Sequence, residues 1–254
     1  MRVVIIGGTG HVGTYLVPRL VHSGHEVSIS RGESKPYHSH PAWETVEQLR
    51  LDRAAEEAAG GFGERVLSLH PDVVIDMICF ELESARQLVE ALRGRVRHLL
   101  HCGTIWVHGH STQVPTTEDQ LRYPFGEYGT QKAKIEAYLL DEAQRHGFPA
   151  TVLHPGHIVG LGWVPVNPAG NFDPEVFGSL ARGEELALPN LGMETVHHVH
   201  ADDVAQAFER ALANWNAAVG ESFHVVSPAA LTLRGYAEAV AGRFGRAARL
   251  GFVP

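Results

Sequence analysis

The 254-residue sequence predicts an α/β protein built on a doubly wound parallel sheet, with a smaller C-terminal lobe. Three observations predict it. Short apolar, β-branched runs alternate with stretches of helical periodicity as far as Pro155. A glycine-rich turn joins the first apolar run directly to the first helix. Beyond Pro155 the alternation loosens into proline- and glycine-bearing loops. The expected organisation is a dinucleotide-binding domain at 1–155 and a mainly substrate-binding lobe at 156–254, interleaved with the sheet.

The elements follow in order. Residues 3–6 are a β-branched run read as a buried strand, and 11–23 carry Val12, Leu16, Leu20 and Val21 at helical spacing, with Pro18 as a candidate bend. Strands are expected at 27–30, 46–51, 72–77 and 97–102. Helices are expected over 53–69, interrupted by Gly60, Gly61 and Gly63, and over 81–93. A long polar loop at 103–127 leads into a helix at 128–145 and a strand at 150–154. In the second part, helices are expected at 174–182, 201–214 and 233–244, and strands at 195–199 and 222–226. Residues 249–254 read as extended with nothing after them. A lobe usually closes on a docked element, so the chain is expected to stop short of its natural terminus.

Composition narrows the function classes. With 44% apolar and 20% charged residues, the chain is not disordered, collagenous or coiled coil. No apolar run approaches the roughly 18 residues of a membrane span. The first strand ends in glycines where a secretory signal would continue, so a cytoplasmic protein without a membrane partner is expected. A net charge of −8 argues against nucleic-acid binding, which needs clustered Lys and Arg. Cys79 and Cys102 lie in apolar runs and read as reduced, buried thiols.

Gly7-Gly8-Thr9-Gly10-His11-Val12-Gly13 satisfies G-x-G-x-x-G between a strand and a helix. Glycines there let a pyrophosphate approach the backbone, and the helix N-terminus offers N–H donors and a positive dipole. A Rossmann-type dinucleotide site is therefore expected, with Gly7, Gly10, His11, Val12 and Gly13 against the phosphates. The second strand ends in Arg31, which suits the 2′-phosphate of NADP; Glu33, further into the loop, is the alternative partner for the ribose of NAD. Asp52, after the third strand, is a candidate acceptor for the adenine amino group.

Tyr128 and Lys132 stand four apart at the start of a predicted helix and share a face. An ammonium there is expected to lower the phenol pKa from its usual value of about 10. Such a phenol can exchange a proton with a substrate oxygen while hydride moves to or from nicotinamide. Thr104 closes the strand at 97–102 on the sheet's carboxyl edge, where ligands bind in this architecture.

Together GGTGHVG at 7–13, GTIWVHG at 103–109, YGTQKAKIE at 128–136 and HVHADDVAQA at 198–207 resemble the extended short-chain dehydrogenase/reductase superfamily, in its NAD-dependent epimerase/dehydratase branch. The resemblance covers the chain to about residue 226. It implies Tyr128 as catalytic acid/base, Lys132 on the nicotinamide ribose and tuning Tyr128, and Thr104 as the family's Ser/Thr. It places Met77, within DVVIDMICF, along the adenosine and ribose side, and Pro155 against the nicotinamide. It also implies a homodimer paired through helices 81–93 and 128–145. The implied activity is hydride transfer at a carbinol or carbonyl carbon of a sugar, nucleotide sugar or other small substrate. Alternatives are an NAD(P)H-dependent reductase of a non-sugar carbonyl, and a non-catalytic nucleotide sensor or RNA-binding relative, since the VVIDMICF segment also resembles the chloroplast stem-loop-binding branch.

Departures from the family pattern limit the substrate. Ile105 and Trp106 stand where 4,6-dehydratases carry an Asp-Glu pair, and His154 stands where the family has Arg before Pro155. Trp106, His154, His157 and Asn171 are expected to contact substrate along with Thr104. Among the seventeen histidines, His197, His198 and His200, and His101, His108 and His110, form metal-like clusters, but strand alternation splits the first and no metal is expected. From Thr151 onward there are six arginines and no lysine, thin for clamping a diphosphate.

Overall fold

In the computed structural model, which describes residues 1–111 and 113–253, the chain alternates strand and helix as expected. It runs β1 (Arg2–Ile6), α1 (His11–His22), β2 (Glu26–Arg31), β3 (Glu47–Arg50), α2 (Arg53–Ala58), α3 (Phe62–Leu67), β4 (Val73–Asp76), α4 (Leu82–Leu92), β5 (His98–Cys102), α5 (Gly126–His146) and β6 (Ala150–Pro155). There follow β7 (His157–Val159), α6 (Glu175–Arg182), β8 (Glu185–Pro189), β9 (Thr195–Val196) and β10 (His198–His200). Then come α7 (Ala201–Ala213), α8 (Trp215–Ala218), β11 (Ser222–Val225), β12 (Leu231–Thr232), α9 (Leu233–Arg243) and β13 (Arg249–Val253). These elements fall into two units. The first is Met1–Pro155 with Ala201–Val225, and the second is Gly156–His200 with Val226–Pro254.

The first unit is a seven-stranded sheet in the order β11-β6-β5-β4-β1-β2-β3, parallel throughout. Val3–Ile6 and Val73–Asp76 are buried at every position, because helices cover both faces of a doubly wound sheet. On one face α3, α4 and α5 bury Phe62, Val66, Leu88, Leu92, Ile135 and Leu139 against Val4, Val74 and Val152. α1 and α7 pack together, tied by Arg19, whose Nε and Nη2 donate to Asp202 at 2.7 and 2.8 Å. Asp202 is thus an ion-pair partner in the first turn of α7. Pro18 sits inside α1 without ending it. The chain runs outward from β1 to β3 and then returns to β4 on the other side of β1. The crevice of a doubly wound sheet opens at such a reversal, between the carboxyl ends of β1 and β4.

The second unit pairs β7 with β10 and β8 with β13, both parallel, and β9 with β12 antiparallel. α6 and α9 close over Val176, Leu180, Leu188, Ala237 and Ala241. Two expectations change here. The strand at 195–199 is broken at His197, whose carbonyl accepts from His157 N at 2.8 Å. Residues 249–253 are themselves a docked element, zipped along β8 from Arg249↔Glu185 to Val253↔Pro189. Among the described residues, no helix is long and apolar enough to cross a membrane.

Candidate active site

The glycine turn leaves β1 at Gly7, whose φ of +80° a side chain would strain. Gly7 N and Gly8 N both donate to Ser30 O at the end of β2, at 2.9 and 3.3 Å. A Cβ on Gly13 would stand 2.1 Å from Gly8 O, so α1 can lie this close to the turn only with glycine there. α1 starts at Gly10 with no side-chain cap and no acidic residue in its first turn. Its first-turn N–H groups have no acceptors within the helix, and the dipole is not neutralised locally. This turn fits a dinucleotide pyrophosphate. His11 and Val12 are buried, and the His11 ring packs against Tyr15 and Tyr37, so these two residues offer their backbone to that site.

Beside the turn, at the ends of β2 and β3, lies a cavity of about 630 Å³ lined by Ser30, Arg31, Glu33, Arg50, Asp52, Arg53 and Ile78, among others. Arg31 and Arg50 are register partners, so both guanidinium groups open on the same space. Arg31 also braces the loop, donating to Gln48 Oε1 at 2.9 Å, Gly32 O at 3.0 Å and Ser34 O at 3.2 Å. Arg50 is paired with Glu33. Asp52 lines the cavity while capping α2, accepting from Ala55 N at 3.1 Å.

At the carboxyl end of β5, Thr104 caps a short 3-10 turn by accepting from Trp106 N at 3.3 Å. α5 enters the same place. Lys132 is fully buried and its Nζ donates to Cys102 O at 2.6 Å. Tyr128, one helical turn earlier, is half-exposed, and its ring centre lies 5.9 Å from Nζ. Phe80, on the stretch after β4, approaches Nζ to 5.0 Å and Tyr128 to 6.3 Å, ring centre to ring centre. Burial and the neighbouring Cys102 push the Tyr128 phenol above its usual value, opposed by the nearby Thr104 side chain. Burial likewise pulls the Lys132 ammonium down. The Tyr-Lys spacing led to the expectation of a lowered phenol pKa; here burial outweighs any lowering and the direction is upward.

A strand–glycine turn–helix unit, a Thr-Tyr-Lys set at the carboxyl edge and the seven-stranded order agree with a family model. The model, described as NAD dependent epimerase/dehydratase family, matches residues 3–225. The chain belongs to this family. It is an NAD(P)-dependent oxidoreductase of the extended short-chain type. Among curated proteins it is similar to 2'-dehydrokanamycin reductase of Streptomyces kanamyceticus, 29% identical over 97% of this chain and 67% of that protein. It is also similar to chloroplast stem-loop binding protein of 41 kDa b of Arabidopsis thaliana, 28% identical over 94% of this chain and 62% of that one. The chain thus spans about two thirds of the length of these two relatives. Among solved structures, the UDP-glucose 4-epimerase of Thermotoga maritima with UDP-glucose matches all of the chain and 86% of its own, with TM-score 0.78 and 21% identity. That of Thermus thermophilus with NAD covers 99% of this chain and 86% of its own, with TM-score 0.75 and 22% identity.

Within this family framework the other expected site residues divide. Met77 follows β4 and donates its N–H to Ile6 O at 3.1 Å, and Pro155 is buried as the last residue of β6. Trp106 is exposed beside Phe125, ring centres 5.8 Å apart. His154 is turned inward. It is fully buried, and both ring nitrogens are taken by Thr104 N and Glu136. In the second unit, His157 pairs in register with His198, and burial lowers its pKa. Asn171 is exposed, and its side-chain oxygen ties the loop together, accepting from Asn167 Nδ2 at 2.5 Å and Asp173 N at 2.9 Å.

The sequence reading missed several residues. Arg53 lies beneath the cavity and reaches Asp76 at 2.8 and 3.1 Å. Asp76, Cys79 and His101 converge, all buried, but Arg53 already occupies the carboxylate, and burial pushes the Cys79 thiol up to about 12. Arg50 becomes visible only through strand register. Glu136 had a signal, since it follows Lys132 by four residues on the same helix, whereas Arg122 comes from the long loop with no spacing to mark it.

Proposed function

We propose that the protein is an NADP(H)-dependent oxidoreductase of a small, sugar-like carbonyl or carbinol that carries no nucleoside diphosphate. The observation that carries the reading is the convergence of Thr104, Tyr128 and Lys132 at the carboxyl edge of the sheet. Tyr128 gives a proton to the substrate oxygen in reduction and takes it back in oxidation. Thr104 directs that oxygen by hydrogen bonding, and Lys132 supplies positive charge beneath the phenol. When bound, the dinucleotide supplies or accepts a hydride at its nicotinamide ring. Gly7, Gly10 and Gly13 would hold its phosphates, with Arg31 and Arg50 on a 2′-phosphate.

The second unit supports a substrate without a diphosphate. Three of the second unit's five arginines are engaged: Arg182 by Glu175 and Glu184, Arg234 by Glu238, and Arg246 by Ala181 O. Arginines engaged in this way are poor phosphate clamps. The relative named as 2'-dehydrokanamycin reductase makes ketone reduction the direction to test first. An intact Tyr-Lys-Thr set and the acidic balance weigh against an RNA-binding role. The buried, unpaired Cys79 and Cys102 suit a reducing cytoplasm. A homodimer through α4 and α5 is the expected assembly, and a monomer by light scattering would refute it.

The test is NADPH oxidation against a panel of keto-sugars, followed by nicotinamide absorbance, with Tyr128→Phe in parallel. A loss of about 10²–10⁴-fold in kcat, with NADPH still bound, is expected for removal of the acid. Undiminished turnover in Tyr128→Phe would refute the assignment.

A further inference from the structure

A continuous chain of buried polar contacts lies behind Thr104, and the reaction above does not use it. His154 Nδ1 accepts the backbone N–H of Thr104 at 3.0 Å. A ring nitrogen that accepts carries no proton, so the hydrogen of the neutral imidazole is on Nε2. Nε2 lies 2.9 Å from Glu136 Oε1 and donates to it. Arg122 closes the other side of the carboxylate, Nη2 to Oε1 at 2.7 Å and Nε to Oε2 at 3.0 Å. Arg122 is itself set by Glu118 O at 2.8 Å and Gln120 O at 2.6 Å. Burial works against the Glu136 charge, but the hydrogen bonds from His154 and Arg122 prevail and hold the carboxyl well below its usual range.

A second observation shows that the strand end is shaped for this ring. A Cβ on Gly103 would stand 2.4 Å from His154 Nδ1, so the imidazole reaches the Thr104 amide only because its neighbour is glycine. Tyr128, Lys132 and Glu136 follow one another at intervals of four along α5. One face of that helix therefore presents the acid, the cation beneath it and the carboxylate that fixes the imidazole tautomer.

We propose that His154 is a positioning residue for Thr104: Glu136, neutralised by Arg122, holds it as the Nε2–H tautomer, and its Nδ1 fixes the Thr104 backbone so that the hydroxyl meets Tyr128. The proposal rests on the reading of Thr104 and Tyr128 as the reacting pair. Two near-isosteric variants separate the halves of the imidazole. In H154N the amide oxygen replaces Nδ1 and keeps the acceptor for Thr104, while in H154Q the amide nitrogen replaces Nε2 and keeps only the donor to Glu136.

The readouts are Thr104 amide exchange by NMR and the Tyr128 phenol titration, taken as an absorbance difference from the corresponding Tyr128→Phe protein, without ligand. H154Q should speed Thr104 exchange by about tenfold or more, the loss of roughly one buried hydrogen bond, and raise the phenol pKa. H154N should stay near wild type in both. Equal exchange in the two variants, or a phenol unmoved in H154Q, would overturn the proposal. Should either variant fail to fold, the wild-type imidazole ¹⁵N spectrum decides: an Nε2–H neutral ring is required, and an Nδ1–H ring or an imidazolium at neutral pH refutes it. None of these readouts uses turnover, so finding no carbonyl substrate would count against the proposed function and not against this positioning role.

Discussion

Arg31→Ala is the sharpest test of the cofactor assignment. Arg31 and Arg50 end neighbouring strands in register and face one cavity, which suits a doubly charged 2′-phosphate. Their contributions are unequal. The Arg50 side chain is 60% exposed and already faces Glu33, so its pull on a phosphate is screened and partly spent. Among the described residues, Arg31 donates to neutral partners, the oxygens of Gln48, Gly32 and Ser34. A charge-assisted hydrogen bond is worth about 1.5–3 kcal/mol, and solvent access puts Arg31 at the lower end, so NADP⁺ should bind about 10- to 30-fold more weakly in Arg31→Ala. NAD⁺ affinity should stay the same. Glu33→Gln releases Arg50 and should tighten NADP⁺ alone. Titration calorimetry of both nucleotides at two salt concentrations reads all of this, because the 2′-phosphate contribution should shrink as salt rises. An equal loss of NAD⁺ and NADP⁺ in Arg31→Ala would show that Arg31 only braces the loop. A wild-type preference for NAD⁺ would refute the NADP assignment directly.

Three further outcomes follow from the same geometry. Gly13→Ala puts a methyl 2.1 Å from Gly8 O and should abolish nucleotide binding in calorimetry while lowering the melting temperature. Arg122→Ala strands a buried carboxylate and should cost about 3 kcal/mol in urea unfolding, whereas Glu136→Gln, which removes that charge, should cost less. Acid should destabilise the fold between about pH 6.5 and 4, because burial holds His98 and His108 near 4. The unfolded chain binds these protons first, so their stabilisation is complete above the unfolded pKa and is lost as pH falls through the folded one. Lowering pH from 7 to 5 should remove about 4 kcal/mol from the two sites together, and equal urea midpoints at the two pH values would contradict this.

The fold was legible where the signal is local. β1 and β4 carry the apolar runs 3–6 and 73–75 because both faces of the sheet are covered, while Gly7 is needed for a φ of +80° and Gly13 because a Cβ there would stand 2.1 Å from Gly8 O. What escaped was non-local. β13 makes sense only beside β8, some sixty residues earlier, so in the sequence it reads as a loose end. The break at His197 depends on a hydrogen bond from His157, forty residues away, which no periodicity encodes.

The site divides along the same line. Tyr128, Lys132 and Glu136 are written into one helix at intervals of four, and Thr104 into the end of one strand, so residue spacing brings them forward. His154 shows what spacing cannot do. Its position at the carboxyl end of β6 pointed to a substrate contact, yet the side chain is fully buried. A neutral imidazole does not neutralise Glu136, and that charge comes from Arg122, thirty-two residues upstream on a loop without regular structure. His154 keeps an acceptor nitrogen, which an arginine could not offer, and that nitrogen is what the Thr104 amide meets.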